Sequence, residues 1–264
     1  MVKGFIIFFI GIVSFGALTA NNKTSFYFYN PETNVTKFAS LKKAFDLYLS
    51  DFGAYEFQPF KKVHLFEEQV RLNNECIVLI PSWYYKNFSS DLQLKPVLIA
   101  KSNNKIKYKK KLVSKRNIRY LDQLKSTTIA SSGNKEIVKK LLNEMLLEEG
   151  LSQTLKILIV PKDIDALMAV EFGMAKAALT NEKSLYKLKS VAPKQYSKLT
   201  TLSESSEEFL PVVAIPKLSR LEKFSFMSVI REMQMKQQGK VLLKRLGFDS
   251  WESVDENVLA ELNT

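Results

Sequence analysis

Two hydrophobic patterns alternate along this chain. Short runs that are wholly apolar, or apolar at every second position, fit strands. Longer stretches with apolar residues every three or four positions fit helices. Phe26-Tyr-Phe-Tyr-Asn30 is a strand, closed by the turn residues Pro31 to Asn34. Lys37 to Phe52 follows as a helix with apolar positions at Phe38, Leu41, Phe45, Tyr48 and Leu49. Ala54 to Phe60 reads as a strand, Lys62 to Leu72 as a helix, and Cys76 to Ile80 as an entirely apolar strand; Pro81-Ser-Trp-Tyr-Tyr85 then opens a short helix. This alternation predicts an α/β unit around a mainly parallel sheet.

Lys95 to Lys101 and Lys105 to Val113 read as strands leading out of that unit, with a short helix or turn over Asn117 to Lys125. A second unit opens with the strand Ser126 to Ile129, a loop from Ala130 to Asn134, and a helix from Lys135 to Glu149 that Gly150 ends. Next come a strand (Leu155 to Val160), the segment Pro161-Lys-Asp-Ile-Asp165 and a helix through Phe172 stopped by Gly173, a strand (Ala175 to Leu179), a helix (Asn181 to Lys189) and a strand (Lys198 to Leu202). Glu204 to Glu208 is a polar joint and Phe209 to Ile215 an apolar strand. Leu218 to Gln237 then has the spacing of one long helix, Gly239 to Phe248 that of a shorter one, and the chain from Trp251 onward reads as helical. The expected organisation is one lobe of residues 21–104 and 206–264, with a second lobe of residues 105–205 inserted in it.

The densest chemistry lies where the Ser126 strand meets the Lys135 helix. Ser131, Ser132, Gly133 and Asn134 form a turn of hydroxyl, glycine and amide residues. The first N–H groups of a helix lack internal acceptors and carry the positive end of its dipole, so such a turn suits an anion. The same residue types also make an ordinary helix cap. Sequence alone leaves both readings open.

Composition narrows the partner. The 264 residues are 46% hydrophobic, enough for one or two packed units, and the formal charge of +12 favours anionic partners. Much of that charge lies in Lys101 to Arg119, which contains no acid. Lys105-Ile-Lys-Tyr-Lys109 alternates like a half-exposed strand, and the aromatic patterns of RNA-binding or single-strand-binding modules are missing. The run therefore reads as a solvated face, and no nucleic-acid partner is expected. Cys76 and His64 are each the only residue of their kind. A zinc site or a Cys/His catalytic pair has almost nothing to draw on, so neither a cofactor nor an enzymatic activity is expected. Cys76, within an apolar run, reads as a core residue. Lys3, the apolar run Phe5 to Val13 and the small residues Ser14 to Ala20 fit an export signal over residues 1–20, with an uncleaved anchor as the alternative.

Four stretches carry a family resemblance. Tyr120-Leu-Asp-Gln-Leu-Lys-Ser-Thr-Thr-Ile-Ala130 is similar to a "DLKGKKIA" strand entry, and Ser131-Ser132-Gly133 to a Ser/Thr-Ser-Gly anion loop. Asp165 to Gly173, running into Ala177-Ala178, is similar to "AALLAVxxGxxDAA", and Gln238 to Phe248 to "EGKALLKALGF". Their order resembles the type 2 periplasmic binding proteins, and within them the PhnD-like phosphonate-binding proteins of ABC transporters. The resemblance implies a two-lobed α/β protein of the periplasm, monomeric, closing on a small anionic solute and presenting it to a membrane permease or sensor. An extracytoplasmic sensing or interaction domain on the same fold is the alternative.

Carried over by position, the resemblance implies that Ser131, Ser132, Gly133 and the N–H of Asn134 bind an oxyanion. Tyr84 or Tyr85 stands at a cleft loop, where buried core aromatics are the competing reading, and Asn30 opens another cleft loop. Asp163 falls near a position that contacts a ligand amine in relatives, or else simply complements a helix N-terminus. Asn181 stands, after Thr180, where relatives carry a Tyr/Asp type of ending. Lys176 replaces a customary acid. An ammonium-bearing ligand needs carboxylates, so the substitution points either to a different anion or to a relative that has lost transport.

Overall fold

The computed structural model describes residues 23–31, 35–146, 150–220 and 225–263, and the export-signal reading of residues 1–20 lies outside them. In chain order, the first lobe begins with β1 (Thr24–Tyr29), α1 (Val35–Ser50), β2 (Tyr55–Phe60), α2 (Val63–Leu72), β3 (Cys76–Ile80), α3 (Ser82–Phe88) and β4 (Leu94–Lys101). The chain crosses through β5 (Lys107–Tyr108) into β6 (Lys110–Lys115), a single 3-10 turn over Leu121–Leu124, β7 (Thr128–Ser131), α4 (Lys135–Leu146), α5 (Leu151–Thr154) and β8 (Lys156–Ile159). The second lobe continues with α6 (Asp163–Glu171), β9 (Ala177–Asn181), α7 (Glu182–Val191), α8 (Pro193–Tyr196) and β10 (Leu199–Glu204). Return is through β11 (Glu208–Phe209) to β12 (Val212–Pro216), α9 (Ser225–Glu232), α10 (Gln237–Leu246), β13 (Ser250–Ser253) and α11 (Glu256–Asn263).

Among the described residues the strands form two large sheets, of orders β13-β4-β12-β3-β1-β2 and β10-β6-β9-β7-β8, and the small pair β11-β5 between them in the chain. Strand alternation sends side chains to opposite faces. Phe26 and Phe28 enter one core of the first lobe while Tyr27 and Tyr29 enter the other, and β3 is buried on both faces. In the second lobe Ile129, Ala177 and Leu179 face α4, whereas Ala130 and Ala178 face α6.

The sheets are mixed, not mainly parallel. Parallel pairing is confined to β1 with β2 and β3, and to β7 with β8 and β9. The returning β12 inserts antiparallel between β3 and β4, and β13 adds an antiparallel edge. Hydrophobic periodicity identifies strands but carries no information on their direction.

Two helical expectations are corrected. Lys217 to Arg220 is a turn, with Lys217 N bonded to Gln93 O (2.7 Å) and Ser219 N to Pro216 O (2.8 Å), so no single helix runs from Leu218 to Gln237. A second break follows α9, where the carbonyl of Met233 packs on Gly239 of α10 so closely that a Cβ there would lie 2.2 Å from it. Because Ile230, Met233 and Leu242 share one core, the apolar spacing runs through the break as though it were a helix. Trp251 lies in a strand, opposite Ala100 of β4, and only Glu256 onward is helical.

The crossovers are gripped at both ends. β5 and β11 pair antiparallel, Glu208 opposite Tyr108 and Phe209 opposite Lys107, with Lys109 left between β5 and β6. On the first-lobe side, Ser82 Oγ donates to the carbonyl of Phe209 (2.5 Å), whose ring is buried among first-lobe residues. On the second-lobe side, Ser205 N donates to Lys110 O and Lys110 N to Ser205 Oγ, both at 2.9 Å.

Candidate functional site

In the second lobe β8 and β9 flank β7 on opposite sides, so the chain leaves the β7 and β9 termini in diverging directions. A crevice at the carboxyl ends of such strands is where open α/β sheets bind ligands. The Ser131–Asn134 turn lies at this edge. Gly133 adopts φ +105°, a conformation that favours glycine. Asn134 caps α4, its Oδ1 accepting from Glu136 N (2.8 Å) and Ile137 N (3.4 Å). The N–H groups of Gly133, Asn134 and Lys135 meet no acceptor among the described residues, which leaves three donors at the positive end of α4. The side chain caps the helix while these backbone N–H groups stay open, so the cap does not use up the donors that the anion reading needs. Ser131 is buried, its hydroxyl donating to Ser132 O (2.9 Å).

Asp163, at the start of α6, organises the rest of this edge. Its Oδ1 accepts from Ser132 Oγ and from Lys110 Nζ (3.0 Å), and its Oδ2 from Lys110 Nζ (3.0 Å) and Asn181 Nδ2. Asn181 Oδ1 meanwhile accepts from Ser184 N (2.9 Å), capping α7. A carboxylate offers about four acceptor sites, and here every one is taken by the protein. The position that the family resemblance links to a ligand amine is therefore neutralised internally by Lys110. Sequence reading missed Lys110, because it belongs to the basic run taken as a solvated face. That run is in fact divided: Lys101 pairs with Glu252, Lys107 with Glu261, and Lys111 with both Glu182 (3.1 Å) and Glu204 (2.8 Å). The hydrogen bond to Glu204 raises the Lys111 pKa, and the same bond lowers that of Glu204.

The first-lobe candidates divide as well. Tyr84 is fully buried, edge-on to Tyr29 and Phe66 and stacked on Phe88, and its hydroxyl donates to Glu67 (2.6 Å). Burial first and that bond second raise its pKa. Tyr85 is also buried, which likewise raises its pKa. The core reading thus accounts for both tyrosines. Asn30 is half-buried at the end of β1, where its N–H bonds to Phe60 O (3.1 Å). Trp83, half-buried with its ring 6.4 Å from Tyr29, is the less enclosed aromatic of the Pro81 loop.

A cleft of about 800 Å3 separates the lobes, with Lys110, Asp163 and Asn181 on one wall, Asn103 and Phe248 on the other, and the acids Glu182, Glu204 and Glu207 also in its lining. Of the sequence-predicted site residues it is lined by Asp163 and Asn181, while the Ser131–Asn134 turn, Asn30, Tyr84 and Tyr85 lie outside its lining. Lys183 reaches across it, its Nζ donating to Gly247 O at the end of α10 (3.0 Å). Lys176 is elsewhere. It precedes β9, bonded through its N–H to Thr128 O (2.8 Å), whereas Asn181 ends that strand. Their five-position separation along the strand spans about 16 Å, which sets this lysine away from the cleft end of β9. Among the described residues no group of three or more His, Cys, Asp or Glu side chains is placed to hold a metal.

Several solved structures share this fold. A binding protein component of an ABC phosphonate transporter from Pseudomonas aeruginosa is 12% identical with TM-score 0.68, the match covering 91% of this chain and 85% of that one. A phosphonate-binding PhnD protein from Prochlorococcus marinus, in complex with methylphosphonate, is 15% identical with TM-score 0.65 over 91% and 97% of the two chains. A Xanthomonas citri protein bound to ATP is 12% identical with TM-score 0.67 over 91% and 94%. No curated protein matches by sequence. Residues 47–259, well over half of the chain, match the sequence model of the family described as "ABC transporter, phosphonate, periplasmic substrate-binding protein", and the protein belongs to that family of solute-binding proteins.

Proposed function

We propose that the protein captures a small phosphonate- or phosphate-like oxyanion without an ammonium group in its interlobe cleft and presents it to an ABC-type permease. Residues 105–205 close as one body on residues 21–104 and 206–264. The oxyanion sits on the N–H groups of Gly133, Asn134 and Lys135. The observation carrying this reading is the pairing of those open donors with a neighbouring carboxylate that is already saturated. The open N–H groups favour negative charge, and the Asp163 carboxylate beside them has no acceptor left for a cationic group. The methylphosphonate complex of the Prochlorococcus protein is consistent with it.

A thermal-shift titration tests this. Methylphosphonate, phosphate and a matched aminoethylphosphonate are compared on the unaltered protein and on Asn134→Asp. The substitution keeps a competent helix cap and places a negative charge at the donors. The expected result is stabilisation of about 2.7 kcal/mol at a hundredfold excess over Kd, weaker for the amino compound and lost in Asn134→Asp. Flat curves for every oxyanion, or an unaffected Asn134→Asp, would overturn the proposal.

A further inference from the structure

The far pole of the second lobe gathers the end of the basic run. β6 finishes there at Lys115, and Lys176 and Thr128 lie beside the starts of β9 and β7. Gly173 has φ +73°, and its turn leaves both neighbours outside: Phe172 is 71% exposed and Met174 60%. A shallow depression joins Met174 and Lys176 to Lys115 and Ile118, and a second continues from Ile118 to Arg116 and Arg119. Tyr120 follows Arg119 and is 69% exposed. Lys115 Nζ donates to Glu171 O (3.2 Å), and Lys198 pairs with the Glu171 carboxylate (3.1 Å). Among the described residues neither depression is lined by an acid; Glu171 is the acid that touches Lys115 and Lys198, and Asp122 lies two positions beyond Tyr120 in the chain.

We propose that this pole binds an anionic phospholipid surface, with Phe172, Met174 and Tyr120 entering the headgroup layer and the surrounding cations meeting lipid phosphates. Exposed apolar side chains ringed by Lys and Arg are the combination that membrane-surface binding requires, because attachment sums buried apolar area with attraction to anionic lipid. Each basic residue near such a surface strengthens binding roughly fivefold. A nucleic acid would use the cations but would gain little from an aliphatic Met174 beside Phe172. The pole and the cleft lie at opposite ends of β9, so a bound bilayer leaves the cleft open to solution. The proposal does not depend on which solute the cleft holds.

Sedimentation with vesicles tests it, using residues 21–264, which hold every described element. Vesicles of phosphatidylglycerol and phosphatidylcholine in equal parts are compared with phosphatidylcholine alone, at low and at physiological salt. Binding is expected only to the anionic vesicles and is expected to weaken with salt. Arg119→Gln with Lys176→Gln should weaken it about 25-fold, at roughly fivefold per charge. Phe172→Ser with Met174→Ser should weaken it at every salt concentration. Both pairs alter exposed residues, and unchanged melting temperatures confirm that they fold. Equal binding to both vesicle types, no binding, or apolar variants that bind like the unaltered protein would overturn the proposal. A duplex oligonucleotide bound through the same cations, with Phe172 and Met174 irrelevant, would replace it with a polyanion site.

Discussion

Asp163 shows how one side chain sets the character of a cleft edge. It is 8% exposed and Lys110 13%, so neither charge is well solvated, and removing one strands the other. Asp163→Ala should cost about 3 kcal/mol, read as a lower urea midpoint. Lys110→Met combined with Asp163→Leu should cost less than either change alone, since the pair then leaves together; additive costs would show that the two do not act as a pair. Alkaline pH tests a second residue. Burial and then Glu75 push the Cys76 thiol up to about 12 from an ordinary 9.0, and burial and then Glu67 push Tyr29 up to about 12 from 10.0. Between pH 9.0 and about 12 the unfolded chain binds fewer protons than the folded one, so stability falls as pH rises through that window. Cys76→Ala should remove the earliest part of the fall, seen in urea midpoints measured on either side of pH 9.0. The burial of Cys76 was legible from its apolar run. The role of Lys110 was not, because nothing local announces a partner 53 positions away.

At the scale of elements, Gly239 separates local preference from packing. Alanine is worth about 1 kcal/mol more than glycine inside a helix, yet a Cβ here would overlap the Met233 carbonyl. Backbone, unlike a side-chain tip, cannot rotate away. Gly239→Ala should therefore destabilise by about 2 kcal/mol, the opposite sign to propensity; a raised melting temperature would show that α9 and α10 can part cheaply. The spacing of apolar residues placed most strands and helices within a few positions, including the β7–turn–α4 joint. It failed where the signal comes from across the molecule. The break at Met233 depends on α10, and the strand at Trp251 depends on Ala100, with Gln234 also accepting from Trp251 N (2.9 Å). Strand direction failed for the same reason.

For the whole molecule, the insertion of one βα unit within another was readable from element order, and the family resemblance singled out the Ser131–Asn134 turn on which the proposed function rests. The distribution of the basic run between ion pairs, cleft and pole was not readable, since it requires knowing where β6 lies. The capture of a solute between the lobes should shrink the molecule. X-ray scattering is expected to give a smaller radius of gyration with saturating methylphosphonate than without it, and an unchanged radius would count against closure.

The two grips on the crossovers have a mechanical meaning. Phe209 is fastened to one half and Ser205 to the other, so Lys109 on one strand and Ser206 with Glu207 on the other must absorb any bending. A door hung on two short, adjacent pins swings about a single axis and resists being wrung. On such a bearing, the bulk of whatever is caught between the jaws is translated into one number, the angle at which they stop. The rims of the jaws then display that angle to any neighbour they meet, as a gauge shows thickness by how far its arms stay apart.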